Sequence, residues 1–197
     1  MKKRLLALFL TLGLVCTVLT ACGDGSKGQG GQGNNGGEAV SGGEITVGIA
    51  KDLDDSLDPH RMVTAGTREV LFNLFEGLVK PNSKGELIPA VAERYELSED
   101  GRTYTFTLRE GVKFHNGATV TAEDVVYSIE RCADDSEGTP LIPALSAISS
   151  IQADDTTLTI TLDQPDSEFL SYLTLAILPE DYTDQATAPV GTGPFKF

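Results

Sequence analysis

Two histidines, a run of aspartates and three cysteines are the residues of this chain best suited to chemistry, and their spacing decides how much they can do. His60 and His115 lie far apart in sequence. No Gly-x-Ser-x-Gly elbow accompanies them, so nothing pairs a base with a nucleophile. Asp52, Asp54, Asp55 and Asp58 invite a calcium reading. A calcium loop of the EF-hand type starting at Asp52 needs Gly at its sixth position and Glu at its twelfth, and the chain has Leu57 and Val63 there. The acidic loop therefore reads as solvated. His60 beside it suggests nickel, but one imidazole without a partner is a poor site. His115 falls in a His115-Asn116-Gly117 turn and is expected to be exposed. The expectation is a chain with no catalytic residue, no metal and no cofactor, and hence not an enzyme.

The cysteines point to modification instead. Met1-Lys2-Lys3-Arg4 is a basic start, and residues 5–19 form an almost unbroken apolar run. That run suits a secretory signal and falls short of the roughly 20 residues of a spanning helix. It closes on Leu19-Thr20-Ala21-Cys22, which resembles the lipobox of bacterial lipoproteins. The resemblance implies that 1–21 is a cleaved signal peptide and that Cys22 takes a diacylglycerol, the one covalent group expected. Each buried CH₂ of such a lipid contributes about 0.8 kcal/mol to membrane attachment. Cys16 lies within the signal, and Cys132 is left alone, so no internal disulfide is expected in the mature chain. Cys132 reads as a small buried apolar residue on a helix.

Residues 23–43 hold ten glycines among Ser, Gln and Asn, too little apolar surface to offset the entropy of ordering. With the lipid-bearing residue, 22–43 is expected to be a flexible tether, with a typical span of about 25 Å for its 21 glycine-rich residues. It lacks the Gly-Lys-Ser/Thr ending of a phosphate-binding loop. The whole chain carries a formal charge of −14 over 197 residues. Loss of 1–21 removes three basic residues and no acidic ones, which leaves −17. Such a domain repels nucleic acid and anionic lipid, which excludes both as partners of the folded part.

From residue 44 the pattern is that of a folded domain. Ile45, Val47 and Ile49 alternate as in a half-buried strand over 44–50, and 51–59 breaks into a loop. Val70, Leu71, Leu74, Phe75 and Leu78 recur at helical spacing over 67–79, with Gly77 as the expected C-cap. Tyr104, Phe106 and Leu108 alternate with threonines, and Asp100-Gly101 supplies the turn of a hairpin joining 94–97 to 103–108. Thr121 caps a helix whose first turn holds Glu123 and Asp124, with Val125, Val126 and Ile129 as its buried stripe. A second hairpin joins 148–153 to 157–162 through Asp154-Asp155-Thr156. A short helix is expected over 167–175, and 194–197 reads as the start of a strand. This mixture gives an α/β or α+β class without a repeat.

Six blocks in this order carry a resemblance: Leu57-Asp58-Pro59-His60, Asn73-Leu74-Phe75-Glu76-Gly77-Leu78-Val79, Pro89-Ala90-Val91-Ala92-Glu93, the run 104–117 from Tyr104 to Gly117, the run 120–128 around Thr121-Ala122-Glu123-Asp124, and Gly191-Thr192-Gly193-Pro194-Phe195. The series resembles the family 5 extracellular solute-binding proteins of oligopeptide, dipeptide and nickel importers, and covers nearly all of 44–197. The resemblance implies an α/β, periplasmic-binding-protein-like fold of the class II, peptide-binding type. Residues 44–197 would be part of lobe I plus its accessory α+β subdomain, within a chain well over twice this length. It implies a binding component that captures peptides or a related small solute outside the membrane and delivers them to an ABC permease. The alternatives are a lipoprotein receptor or adhesin of the same fold, or a nickel-chelate relative. Most of the motif residues have sufficient structural roles in turns and caps. The exception is Thr64-Ala65-Gly66-Thr67, since the chain entering this helix contributes to the ligand cleft in peptide-binding relatives. Small side chains there would let a ligand approach the backbone, and free N–H groups at the helix start suit an anionic or carbonyl end; the segment reads equally as an N-cap loop with Thr67 or Thr64 as the cap.

Overall fold

The hairpin alternation of β-branched and aromatic residues builds the centre of the molecule. In the computed structural model, residues 46–49, 53, 55–136 and 138–197 are described. The expected signal peptide, Cys22, the tether, Asp52 and Asp54 lie outside the described residues. Among the described residues, six strands run in the order β1 (Val79–Pro81), β2 (Leu87–Pro89), β3 (Ala92–Leu97), β4 (Thr103–Leu108), β5 (Ile148–Asp154) and β6 (Thr157–Leu162). The first two pair alone, antiparallel. The others form an antiparallel sheet in the order β3-β4-β6-β5. Both expected hairpins are present, with bulges at the start of β3 and of β5. Gly101 at φ +69° and Asp155 at φ 44° take the left-handed turn positions, where glycine and the short polar Asp are tolerated.

Because side chains alternate across a strand, Tyr104, Phe106 and Leu108 of β4 and Leu158, Ile160 and Leu162 of β6 all face inward and are buried. Their neighbours are threonines, paired across the strands as Thr103–Thr161, Thr105–Thr159 and Thr107–Thr157. The inner face is covered by helix α2 (Ala122–Ala133), which buries Val125, Ile129 and Cys132. Its expected start is present in full. Asp124 N–H donates to Thr121 Oγ1 at 3.2 Å, and Thr121 N–H donates to Asp124 Oδ2 at 2.8 Å, a reciprocal capping box. Phe169, from the single-turn helix α3 (Phe169–Tyr172), sits 5.2 Å ring to ring from Tyr104. Each such buried apolar side chain contributes about 1.5–3 kcal/mol relative to exposure.

Asp124 and Ser128 also reach beyond their own helix. Asp124 Oδ1 accepts from Glu180 N–H at 3.0 Å, and Ser128 Oγ accepts from Leu178 N–H at 2.8 Å. A second, smaller apolar cluster forms there, made of Leu57, Leu71, Leu74, Phe75 and Leu178.

Five expectations are corrected. Residues 46–49 are not in a strand, and Val47 is 74% exposed; alternation becomes a strand only where a neighbour supplies the ladder, and no described strand pairs with them. The helix expected over 67–79 is α1, Ala65–Leu71. The Asn73 side-chain amide donates to the Glu69 and Val70 carbonyls, and Leu74 N–H donates to Leu71 O at 2.9 Å, so the last turn tightens and closes. Gly77 is not the C-cap: a Cβ there would lie 2.5 Å from Leu173 O and 2.7 Å from Thr174 C, so glycine is required by a backbone crossing. Residues 194–197 form no strand among the described residues either, although Phe195 N–H donates to Asn73 O at 3.3 Å. The helix expected over 167–175 shortens to the one turn of α3.

Candidate ligand-facing site

Residues 55–67 wrap the entrance to α1, and two carboxylates hold them. Asp55 takes the N–H groups of Val63 and Thr64, each at 3.0 Å on Oδ2, and the hydroxyls of Thr64 and Thr67 on Oδ1. Led by the Thr67 hydroxyl and the Thr64 N–H, these donors hold its carboxyl far below the usual carboxylate range, as hydrogen bonding to the charged form must. Thr64 is the N-cap of α1, its Oγ1 accepting from Thr67 N–H at 3.4 Å.

Asp58 is the second anchor, and it is buried. Arg131 of α2 grips it with both terminal nitrogens, Nη1 to Oδ1 at 2.9 Å and Nη2 to Oδ2. His60 N–H donates to the same Oδ1 at 2.9 Å. Burial works against the charge of Asp58, but the Arg131 and His60 donors outweigh it and its carboxyl stays below the ordinary range. Bidentate geometry of this kind is the strong form of an ion pair. His60 Nε2 bonds Ala176 O at 2.9 Å, while burial and then the Arg131 charge push its imidazole down to about 4. His60 is therefore neutral in ordinary conditions and ties the loop to 176. Cys132, next to Arg131, is fully buried, and burial pushes its thiol up to about 12. The expectation of an inert core cysteine holds.

The four residues singled out for a ligand separate. The hydroxyls of Thr64 and Thr67 turn onto Asp55. Ala65 lines a shallow hollow of about 580 Å³ with Val63, Arg68, Glu69 and Phe72. Gly66 is at the surface, and a Cβ there would meet nothing within 4 Å. Beyond α1 lies a larger, mostly apolar groove of about 790 Å³, lined by His60, Leu71, Phe72, Phe75, Leu141 and Tyr172 among others. Among the described residues no group of three or more metal-ligating side chains gathers. Arg131 was not foreseen as the partner of Asp58. Its only trace in the sequence is a cation on the last turn of the helix, one and two turns beyond Ser128 and Asp124.

His115 is not the exposed turn residue expected; it is half-buried, with its ring against the glycines of the last motif. Its Nε2 lies 2.9 Å from Gly193 O. Gly191 and Gly193 have no room for a side chain, since a Cβ would come within 2.2 Å and 2.6 Å of the Leu74 and Asn73 carbonyl oxygens. Three of the sequence blocks thus meet at one junction.

Residues 86–197 match the model of the bacterial extracellular solute-binding proteins, family 5 Middle. The chain belongs to this family. Among family 5 relatives, the oligopeptide-binding protein OppA of Bacillus subtilis is 40% identical over 136 residues, covering 68% of this chain and 24% of that protein. The periplasmic murein peptide-binding protein MppA of Escherichia coli is 44% identical over 105 residues, 52% of this chain and 19% of that one. The ABC transporter-associated periplasmic binding protein DppA from Helicobacter pylori, solved in complex with peptide STSA, is 34% identical with a TM-score of 0.65, over 72% of this chain and 34% of that one. The chain thus spans between a fifth and a third of the length of these family 5 proteins. Their fold is of the periplasmic-binding-protein type, as expected, and family 5 members are binding proteins rather than enzymes.

Proposed function

We propose that this protein is the substrate-binding component of an ABC importer, which captures peptides outside the membrane and delivers them to the permease. The observation that carries this reading is the 40% identity to a protein named for oligopeptide binding, spread over 68% of the chain. Peptide recognition through main-chain hydrogen bonds gives affinity that tolerates many side chains, and it needs backbone that a ligand can approach. Residues 64–67 supply that backbone: Ala65 faces a hollow, and Gly66 stands in open space. The location follows from Cys22, whose lipid would hold the protein at the extracytoplasmic face of the cell membrane after removal of 1–21. The acidic charge of the chain supports a protein that touches the membrane through its lipid alone.

Because Gly66 has nothing within 4 Å of a built Cβ, Gly66→Trp adds bulk without a clash in the fold. In the intact protein, calorimetry with a mixture of short peptides is expected to show binding that falls roughly tenfold or more in Gly66→Trp. Unchanged affinity would remove 64–67 from the cleft, and no heat with any peptide would remove peptides as the ligand. Cys22→Ser is expected to abolish incorporation of labelled palmitate and release the protein into the medium; continued labelling would place the lipid elsewhere.

A further inference from the structure

His115 has a bonding pattern that only one protonation state satisfies. It stands in a turn closed by Gly117 N–H on Phe114 O at 2.9 Å. Its backbone N–H donates to Gly191 O at 2.9 Å. Gly191 N–H donates to His115 Nδ1 at 3.3 Å, and His115 Nε2 meets Gly193 O at 2.9 Å. A carbonyl oxygen can only accept, so Nε2 must carry a hydrogen. A backbone N–H can only donate, so Nδ1 must be bare. The neutral Nε2–H tautomer meets both demands. An imidazolium would set an Nδ1–H against the Gly191 N–H and lose that bond.

The opposite side of the crossing has no slack. Gly193 N–H donates to Leu74 O at 2.9 Å and Phe195 N–H to Asn73 O at 3.3 Å. The missing side chains of Gly191 and Gly193 let the backbone lie directly on 73–75. A segment pressed against one wall loosens by parting from the other, which is His115. Charged groups on the neighbouring elements are few. The 73–75 turn carries none before Glu76, which pairs with Lys80 at 2.5 Å. Residues 191–195 carry none before Lys196. On its own turn, Lys113 Nζ donates to Gly117 O at 3.3 Å.

We propose that His115 is a proton-operated latch: the neutral imidazole clamps the 191–193 crossing against 73–75, and protonation releases Gly191 from it. Histidine suits this role, being the side chain that serves as a switch at physiological pH. Local opening of one crossing without global unfolding is the expected response.

The test is amide hydrogen exchange on the intact protein at about pH 7.5 and about pH 5, corrected for the intrinsic chemical rate. Protection of the Gly191 amide is expected to drop about tenfold or more on acidification, while the Ala92 amide, bonded to Leu78 O, keeps its protection. In His115→Gln the pH dependence at Gly191 is expected to vanish. Equal protection of Gly191 at both pH values in the wild type, or the same drop in the Gln variant, overturns the latch. Should the Gln variant fail to fold, the ¹⁵N imidazole signals of the wild type decide. An Nε2–H tautomer at the upper pH supports the proposal, and an Nδ1–H or evenly averaged ring refutes it.

Discussion

The four-stranded sheet with α2 and the segment 55–78 are adjoining regions built on different principles. The sheet is specified locally. Its hairpins, alternation and capping box each use residues within a few positions of one another, and its core is continuous and apolar. Segment 55–78 has a helix of seven residues and supplies four of the five residues of a small core cluster, Leu178 being the fifth. It is held by polar ties across long stretches of sequence: Asp58 to Arg131, His60 to Ala176, and the backbone crossing at Gly77. The difference teaches that the scaffold is made stable by burial, whereas the proposed ligand-facing segment is made definite by a few charged and hydrogen-bonded contacts. Burial resists acid; the polar ties do not.

The comparison predicts unequal responses to mutation and pH. The largest effect is expected at Phe106, which is fully buried at the sheet centre. Phe106→Ala should cost about 3–5 kcal/mol in denaturant unfolding, and a loss under 1 kcal/mol would show that the sheet is not the stabilising core. Next comes Arg131→Met, which strands the buried Asp58 carboxylate. With the guanidinium partly exposed, the cost should be about 2–4 kcal/mol, less than for a fully enclosed pair. Adding Asp58→Asn should restore part of it, and strict additivity in that cycle would mean the two side chains do not act as a unit.

The smallest effect is a slope in stability with pH. His60 titrates at 6.5 in the unfolded chain and about 4 in the fold, so the unfolded state takes up the proton first as pH falls. Stability should decline between those values, by up to about 3 kcal/mol. Asp58, held below its ordinary value, contributes stability above about pH 4 that is lost as pH falls further. Melting curves of His60→Gln should show a shallower slope between 6.5 and 4 and keep the acid loss below it. An unchanged slope would assign it to other groups.

The two regions also differ in how far they could be read from sequence. Both hairpins, the Thr121 cap and the buried Cys132 were legible, because each depends on near neighbours whose types state their role. The end of α1 at Leu71 was not, since the apolar spacing continues through Leu78 while Asn73 diverts the carbonyls. Gly77 carried a plausible local reason, a C-cap, that hid the real one, a crossing with 173–175. Arg131 and His115 show the same limit. A cation on a helix or a histidine in a turn does not announce a partner about 75 positions away. At the candidate site, Thr64 as a cap was within reach, but its bond to Asp55 was not. The family resemblance reached the fold and the class of binding protein because it drew on the order of many motifs rather than on any one.

Cys132 gives the scaffold a built-in clock. Its thiol is sealed under α2 and, with ionisation pushed up to about 12, offers almost no thiolate to reagents or oxidants at neutral pH. Labelling there must wait for the helix to lift from the sheet. The pace at which a thiol-specific dye reacts therefore counts the openings of the four-stranded core, and leaves motions confined to the entrance of α1 unrecorded.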